Sequence, residues 1–267
     1  MTNPTTDLNV AILPLDIRQN DVDSNLCAVE TAIAGLKPNT DMIVLPEMFS
    51  TGFTTDKKII SSVAESNHGK TITRLRELST KNGIAIWGGF VAKEGSDFFN
   101  RGFMICADGS IEFYDKRHLF RMGGEREVFT SGYSRSPIVN IKGWKLAMAI
   151  CYDIRFPAWN RNLNLKYDAL IVPANWAHSR LYAWKQLLIA RAIENQAYVV
   201  GCNRSGTDEF GEYPLEDSFA FNHWGKEISE AAPSGILYCE FNAAQLIRDR
   251  ERFCPWRDAD KFEFTDN

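Results

Sequence analysis

WKLAMAICYDIRFP, residues 144–157, is the stretch that decides the fold of this chain. Its first half is a short apolar run of the kind that forms a buried strand, and the sequence turns polar at Cys151. The thiol is therefore predicted at the C-terminal end of a core strand, where α/β proteins bind their ligands. A helix that begins near Arg155 to Ala158 would point its positive end at the thiol, which would favour the thiolate and so a nucleophile.

Two other segments repeat this pattern of an apolar strand that ends in a reactive side chain. VLPE ends at Glu47, and YDKRHLF contains Lys116. A single free cysteine is more often a small buried hydrophobe, and a single glutamate or lysine there is more often a structural ion-pair partner or a solvated strand end. Because α/β folds assemble sites from the ends of separate strands, we predict that Glu47, Lys116 and Cys151 converge.

These three residues, in this order, and the segments around them resemble the nitrilase superfamily of carbon–nitrogen hydrolases. The matching segments are LPEMF at Glu47, DKRHLF at Lys116, CYDIRFP from Cys151, VPANW at residues 172–176, ARAIENQ at residues 190–196 and NR at residues 203–204. Several motifs in the right order are more specific than one short pattern. The resemblance covers about residues 9–253. It implies an α/β fold, the four-layer α-β-β-α sandwich of the nitrilase type, and a homodimer or higher homo-oligomer.

The resemblance also implies a mechanism in which Cys151 forms a thioester with an amide substrate. Glu47 would take the proton of Cys151, later protonate the departing ammonia, and then activate the water that hydrolyses the thioester. Lys116 would stabilise the oxyanion together with the backbone N–H of Tyr152, and its charge would lower the pKa of the thiol.

A second glutamate belongs to the superfamily's site, in the loop after the lysine and seven residues ahead of a glycine. Glu125 fits this pattern, because Gly132 lies seven residues after it, and Glu127 is the near alternative. This glutamate would orient Lys116, although either residue could also be a loop surface charge. His118 lies close to Lys116 in sequence, but we interpret it as a hydrogen-bonded structural histidine because the superfamily does not use it as a base.

Four further residues are predicted to bind the substrate. Tyr152 follows the nucleophile directly. Arg155 could reach into the pocket as a fork for a carboxylate, or could instead pair with Asp153 or with a partner subunit. Trp176 and Phe49 are expected to shape the pocket, although bare aromatics are core residues first.

Composition limits the other possibilities. The chain has 267 residues, 45% of them hydrophobic, and a net charge of −4, so it lacks the basic field that nucleic-acid binding requires. The first residues are polar, and no apolar run approaches the ~20 residues of a spanning helix. We therefore expect a cytoplasmic protein with a small-molecule substrate and no membrane or nucleic-acid partner.

Metal and cofactor chemistry is not indicated. The six cysteines form no C-x-x-C pair, and the four histidines are too dispersed for metal-ligand spacing. No Gly-x-Ser-x-Gly elbow, Walker motif or Gly-x-Gly-x-x-Gly motif occurs. The expectation is therefore a hydrolase that needs no metal and no cofactor.

The hydrophobic pattern predicts alternating strands and helices in a single domain, residues 1–267. Predicted strands are 8–13, 42–45, 84–92, 98–106, 111–114, the run before Cys151, 169–172, 198–202, 218–221 and 235–241. Predicted helices are about 22–36 with Asn20 as N-cap, 71–81, 155–165 and 180–196. A long loop at 120–136 is expected to be functional. Residues 249–267 are predicted to form an aromatic tail that packs at the dimer interface or on a neighbouring element.

Within the superfamily the chain looks most like the ω-amidase branch, which deamidates 2-oxoglutaramate and 2-oxosuccinamate. True nitrilases carry Cys-Trp-Glu where this chain has Cys-Tyr-Asp, so nitrile hydrolysis is disfavoured. Two alternatives remain open, an N-carbamoyl amino acid or amine hydrolase of the same superfamily and a catalytically silent binding protein on this scaffold.

Overall fold

The computed structural model describes residues 3–264, which form two β-sheets packed between helices. The strands are β1 (Leu8–Ile12), β2 (Met42–Val44), β3 (Ala85–Glu94), β4 (Asp97–Ile105), β5 (Ile111–Asp115), β6 (Val139–Ile141), β7 (Trp144–Met148), β8 (Ala169–Ala174), β9 (Tyr198–Asn203), β10 (Gly206–Asp208), β11 (Gly211–Tyr213), β12 (Phe219–Phe221), β13 (Glu230–Ala231) and β14 (Leu237–Phe241). The α-helices are α1 (Val22–Ala34), α2 (Lys57–Val63), α3 (Lys70–Asn82), α4 (Leu181–Asn195) and α5 (Ala243–Arg252).

Strand order divides the strands into one large sheet, one smaller sheet and a hairpin. The large sheet has seven strands in the order β13-β14-β1-β2-β3-β4-β5, the smaller has five in the order β12-β9-β8-β7-β6, and β10 pairs only with β11. Strands β1, β2 and β3 run parallel, as do β7, β8 and β9. Because β3 and β5 are both antiparallel to β4, β5 runs in the same direction as β3. The carboxyl ends of β2, β3 and β5 therefore lie along one edge of the large sheet.

Alternating side chains divide the apolar residues of the large sheet between two cores. Val10 of β1 and Met42 of β2 belong to the core between the two sheets. Their neighbours Ala11 and Ile43 point to the opposite face, where they pack against helices. This alternation follows from the two-residue period of a strand, and the mostly apolar sequences of β1 and β2 reflect burial on both faces.

Helices cover the outer face of each sheet. Leu26 and Val29 of α1 and Leu75 of α3 pack on the large sheet, whereas Trp184 and Leu188 of α4 pack on the smaller one. The arrangement is the predicted four-layer α-β-β-α sandwich, which is confirmed. Gly102 of β4 faces the smaller sheet, and a Cβ there would lie only 2.2 Å from the sulfur of Met148.

The structure corrects the prediction of a helix at residues 155–165. A short 3₁₀ helix, Cys151–Arg155, begins at Cys151 itself, and no α-helix lies between it and β8. The reason is Pro157, because the residue before a proline is driven out of the helical region, and Phe156 is indeed extended with φ −108° and ψ 91°. The expected stabilisation of a thiolate by a long helix dipole is therefore absent.

Other elements also differ from prediction. The N-cap of α1 is Asp21, whose carboxylate accepts the N–H of Ser24, and Asn20 instead adopts a left-handed conformation with φ 59°. The pattern did not predict α2, α5, β6 or the hairpin of β10 and β11, which are short or mostly polar.

The predicted aromatic tail begins inside α5. Its described part continues past Arg252, and Phe264 packs edge-on against Trp159, with ring centroids 5.2 Å apart. Residues 265–267 lie outside the described residues, as do residues 1–2. Contact of the tail with a partner subunit stays a prediction.

No helix within residues 3–264 combines the length and the apolar character that crossing a bilayer would require.

Candidate active site

The ends of three strands bring the predicted catalytic residues into one pocket. Glu47 follows β2 and Lys116 follows β5 in the large sheet, whereas Cys151 follows β7 in the smaller sheet. All three line a cavity of about 220 Å³. A cavity of this size suits a substrate smaller than a typical drug molecule.

Lys116 lies at the centre of a buried cluster of charges. Its Nζ is 2.8 Å from Oε1 of Glu47 and 2.8 Å from Oε2 of Glu125. These three side chains are at most 1% exposed. Glu127, the alternative second glutamate, is exposed on the loop. The structure thus brings Glu125, and not Glu127, to Lys116.

Two asparagines that the sequence analysis missed complete this cluster. Asn100 of β4 donates from Nδ2 to Oε1 of Glu47 at 2.7 Å and to Oε1 of Glu125 at 2.8 Å. Asn175, which follows β8, donates its backbone N–H to Oε2 of Glu47 at 2.8 Å and its Nδ2 to the Glu47 carbonyl at 2.7 Å. The PANW segment was a signal for Asn175, but Asn100 lies inside a strand pattern with nothing to distinguish it.

Cys151 occupies a strained turn between β7 and the 3₁₀ helix. Its φ is 45°, in the left-handed region that residues other than glycine rarely adopt. Such strain is typical of functional sites, where the surrounding structure holds a residue in place. Here Asp153 is buried and accepts the N–H of Ile150 at 3.2 Å and the hydroxyl of Tyr114 at 2.8 Å. The turn that carries Cys151 is therefore tied to β5, the strand that precedes Lys116.

Burial and neighbouring charges shift the pKa values of the site in different directions. Burial raises the pKa of the Cys151 thiol well above its usual range, and the charge of Glu47 adds to this effect, while Lys116 opposes it only in part. The expectation of a lowered thiol pKa is thus wrong for this structure. At neutral pH the thiol keeps its proton, so attack on a carbonyl requires a base that removes the proton.

The two glutamates differ from each other. Burial raises the pKa of Glu47, but the charge of Lys116 and the hydrogen bonds from Lys116, Asn100 and Asn175 lower it by more. Burial likewise raises the pKa of Glu125, and here the opposing effect of Lys116 does not prevail, partly because the charge of Glu47 also raises it. Glu47 is therefore the carboxylate that stays ionised and able to accept a proton.

The pocket wall contains three of the four predicted substrate-binding residues. Tyr152, Arg155 and Trp176 all line the cavity, and the Arg155 guanidinium lies over the Trp176 ring, 4.8 Å from its centroid. Arg155 forms no ion pair with Asp153 or with any other carboxylate of residues 3–264.

Phe49 does not line the cavity. It packs against Phe103 with ring centroids 5.9 Å apart, in the core between the large sheet and its helices. The turn after Glu47 is responsible, because Met48 has a φ of 46° and reverses the chain so that the next side chain points away from the pocket.

His118 is held as a structural residue. Its Nδ1 is 2.8 Å from Oδ1 of Asp153, and its ring stacks on Phe156 at 3.7 Å. It does not line the cavity.

The sequence analysis also missed a second arginine, Arg180, at the cavity. Arg180 is exposed, its guanidinium lies 5.6 Å from the centroid of Phe120, and it too has no carboxylate partner in the described part of the chain. The remaining wall is mostly apolar and is formed by Phe53, Phe120, Met122, Phe210 and Tyr213. Only the fold brings these residues together, because four of them come from loops and turns and Tyr213 from the short strand β11, which the sequence pattern did not predict.

Across residues 3–264 no group of three or more histidine, cysteine, aspartate or glutamate side chains has an arrangement that could hold a metal ion.

Comparison with known proteins relates this site to a family. The family model described as carbon-nitrogen hydrolase matches residues 9–250. Omega-amidase YafV of Escherichia coli is 37% identical over 257 residues, which cover 96% of this chain and 98% of that protein. The 2-oxoglutaramate amidase of Bacillus subtilis is 32% identical over 256 residues, which cover 94% of this chain and 97% of that protein.

A solved structure shows the same fold. The crystal structure of a CN-hydrolase superfamily protein from Xanthomonas campestris, with an arsenic adduct in its active site, matches with a TM-score of 0.89 at 33% identity. The match covers 98% of this chain and 100% of that chain.

Proposed function

Because this chain belongs to the carbon–nitrogen hydrolase family and is a hydrolase of carbon–nitrogen bonds, we propose that it is an ω-amidase. Its substrate would be a short ω-amide of a dicarboxylate, such as 2-oxoglutaramate or 2-oxosuccinamate, and its products the acid and ammonia. The observation that carries the proposal is a buried Glu47, Lys116 and Cys151 below a small pocket whose wall holds two unpaired arginines. The omega-amidase and 2-oxoglutaramate amidase relatives support it.

In the proposed acylation step, Glu47 removes the proton of Cys151 as the sulfur attacks the amide carbon. The raised pKa of the thiol makes this base necessary. The oxyanion forms beside the Lys116 ammonium and the backbone N–H of Tyr152. Glu47 then passes its proton to the amide nitrogen, the carbon–nitrogen bond breaks, and ammonia leaves behind a thioester on Cys151.

In the proposed deacylation step, a water molecule takes the place of ammonia. Glu47 accepts a proton from this water as its oxygen attacks the thioester carbon, and then returns the proton to the departing sulfur. The acid leaves and the thiol is restored. The same carboxylate thus works as base and acid in both steps.

The hydrogen bonds of Lys116 leave room for the oxyanion. An ammonium group has three N–H donors, and Glu47 and Glu125 bind Nζ from two directions. The two contacts with Glu125 go to the oxygens of one carboxylate, and if they share one N–H, the third N–H is left for the substrate oxygen. Glu125 is proposed to orient this ammonium, because it accepts two of the close contacts.

The two arginines are proposed to bind the far carboxylate of the substrate. Arg155 is held by the Trp176 ring, so its planar fork is preorganised for a carboxylate. Arg180 at the rim would add a second positive charge that attracts the anion. The pocket therefore favours an amide whose other end is negative over a neutral amide of equal length.

Ammonia release from 2-oxoglutaramate, succinamate and butyramide tests this proposal. A desolvated charge-assisted pair contributes about 1.5–3 kcal/mol, so the two acids should exceed butyramide by roughly tenfold to a hundredfold in kcat/KM. Arg155→Lys should shrink this ratio, and Arg252→Lys, an exposed arginine on α5, is the matched control. Equal kcat/KM for the three amides would refute carboxylate recognition.

The same assay separates the alternatives. Release of carbon dioxide with ammonia from an N-carbamoyl amino acid, at a higher kcat/KM than from 2-oxoglutaramate, would favour the N-carbamoyl hydrolase. No turnover of any amide and no mass shift of Cys151 with an amide-like electrophile would favour a silent binding protein.

We also propose that the enzyme is a single domain that acts in the cytoplasm as a homodimer, without a metal, a cofactor or a nucleic-acid partner. The net charge of −4 is in keeping with a small-molecule enzyme. Light scattering tests the dimer, cell fractionation tests the location, and full activity after dialysis against EDTA is the expected result for a metal-free site.

A further inference from the structure

Asn100 hydrogen-bonds to all three residues of the buried charge cluster beside Cys151, to the side chains of Glu47 and Glu125 and to the backbone of Lys116. It lies near the start of β4, is 1% exposed, and its Nδ2 donates to both Glu47 and Glu125. Its backbone carbonyl accepts the N–H of Lys116 at 2.9 Å. One residue therefore fixes the side chains of two glutamates and the backbone of the lysine between them.

The hydrogen bonds define which way the amide of Asn100 points. Both partners of Nδ2 are carboxylate oxygens, which can only accept, so the NH₂ group must face them. Oδ1 of Asn100 is then buried without a donor among residues 3–264. A buried carbonyl without a partner destabilises the fold. Stability alone therefore does not explain why an asparagine occupies this position. The two N–H groups that its side chain supplies to the carboxylates do explain it.

Charge balance shows what these two N–H groups do. With Cys151 as a thiol, the carboxylates of Glu47 and Glu125 and the ammonium of Lys116 leave one negative charge in excess in a buried site. Two close carboxylates under these conditions tend to share a proton. Each N–H of Asn100 stabilises the ionised form of one of them.

The two carboxylate oxygens of Glu47 differ in the hydrogen bonds that they accept. Oε1 accepts from both Lys116 and Asn100, which occupies its two lone pairs. Oε2 accepts the backbone N–H of Asn175 at 2.8 Å and has a weaker contact with Nδ2 of the same residue at 3.4 Å. Oε2 is therefore the oxygen with a lone pair left for a proton.

We propose that Asn100 is a positioning residue that keeps Glu47 ionised beside Glu125 and leaves Oε2 of Glu47 as the oxygen that takes the thiol proton. The inference rests on the proposed role of Glu47 as the base. The other ionisable groups that face the cluster lie on the pocket wall and are Cys151, Tyr152, Arg155, Arg180 and Tyr213. None of them donates to Glu47 or Glu125 in the described chain, so nothing there would replace Asn100.

The test is the pH dependence of Cys151 alkylation by iodoacetamide, followed by peptide mass spectrometry. In this reaction the sulfur–carbon bond forms, iodide leaves, and the thiol proton passes to Glu47. In Asn100→Leu the lower inflection of the rate profile, where the glutamate pair ionises, should move up by about one pH unit or more. The plateau rate should fall by about tenfold or more, because Glu47 is no longer held.

Asn25→Leu is the matched control. Asn25 is also 1% exposed and donates two hydrogen bonds, to the carbonyls of Arg18 and Ser50, but it contacts no residue of the site. In the Asn25→Leu variant the lower inflection of the alkylation rate profile should stay at the pH at which the wild type shows it. If Asn100→Leu slows alkylation by one factor at every pH and leaves the inflection in place, Asn100 is only structural and the proposal fails.

A second variant guards against misfolding. Asn100→Asp keeps the shape, but above the pKa of the new carboxyl three negative groups share Lys116, so reactivity should fall as the pH rises. A profile like that of the wild type would refute the proposal. Alkylation by iodoacetamide does not depend on the natural substrate. If the wild-type protein turns over no amide, the ω-amidase proposal is refuted, but the alkylation profiles of the wild type and the variants can still be compared.

Discussion

Replacing Lys116 with glutamine removes the only positive charge in contact with Glu47 and Glu125 within the described residues. The lysine Nζ lies 2.8 Å from an oxygen of each carboxylate, and all three groups are buried. Removal of one partner from a buried ion pair costs about 3–5 kcal/mol, because the remaining charge is left uncompensated. We expect Lys116→Gln to lose stability in this range at neutral pH.

This loss depends on pH, because the carboxylates can bind a proton and so reduce their repulsion. In the variant the folded-state pKa of the pair lies above that of the unfolded chain. The penalty is therefore small below about pH 4.3, the ordinary pKa of glutamate, and grows as the pH rises towards the folded-state pKa. In the wild type, burial lowers the pKa of Lys116, but the charges of Glu125 and Glu47 raise it by a larger amount. The lysine therefore keeps its charge throughout this pH range.

Urea unfolding at about pH 5 and about pH 8 measures the difference, which should be larger at the higher pH. The double variant Lys116→Gln with Glu125→Gln should recover part of the stability at the higher pH, because one orphaned charge is gone. Neither variant should regain activity, since a lost oxyanion donor alone costs about 10²–10³ in kcat. An equal loss of stability at both pH values, with no recovery in the double variant, would refute this reasoning.

Three other substitutions test separate parts of the site. Cys151→Ala should abolish turnover and leave the unfolding transition nearly unchanged, because it removes only one sulfur from a turn; activity within about tenfold of wild type would exclude the thioester. Asp153→Asn replaces a carboxylate that accepts the N–H of Ile150, so kcat should fall by about tenfold or more while KM changes less, as steady-state kinetics would show. Gly132→Ala would place a Cβ 2.2 Å from the backbone oxygen of Asp115, and a loss of about 1–3 kcal/mol in thermal unfolding, with lower activity, is expected because backbone cannot yield as a side chain can.

The positions of the proposed catalytic residues follow in part from local sequence. Glu47 and Cys151 follow mostly apolar strands, β2 and β7, whereas Lys116 follows β5, whose sequence is mixed. The ends of β2 and β5 lie along one edge of the large sheet, and the packing of the two sheets brings the end of β7 to the same pocket. Motif resemblance added Glu125, whose loop has no strand or helix period to place it. Alternating strands and helices indicated an α/β fold, and the resemblance to the nitrilase superfamily implied the four-layer sandwich.

Tertiary structure alone decided the surroundings of these residues. Asn100 lies in an ordinary strand pattern, and only the antiparallel pairing of β4 with β5 places it beside Lys116. Arg180 reaches the pocket from the 3₁₀ helix His178–Arg180, which directly precedes α4, and Phe49 points away from the pocket because of the turn at Met48.

The pKa of the Cys151 thiol also depends on the tertiary structure. The sequence indicated a helix and a lysine that would lower this pKa. Lys116 does lower it, but burial and the charge of Glu47 raise it by more. The amino-acid sequence determines which chemical groups are present and which strand ends carry them. Desolvation and charge balance depend on every atom that packs around a group, including atoms from distant parts of the chain, so only the folded structure determines which group holds the proton.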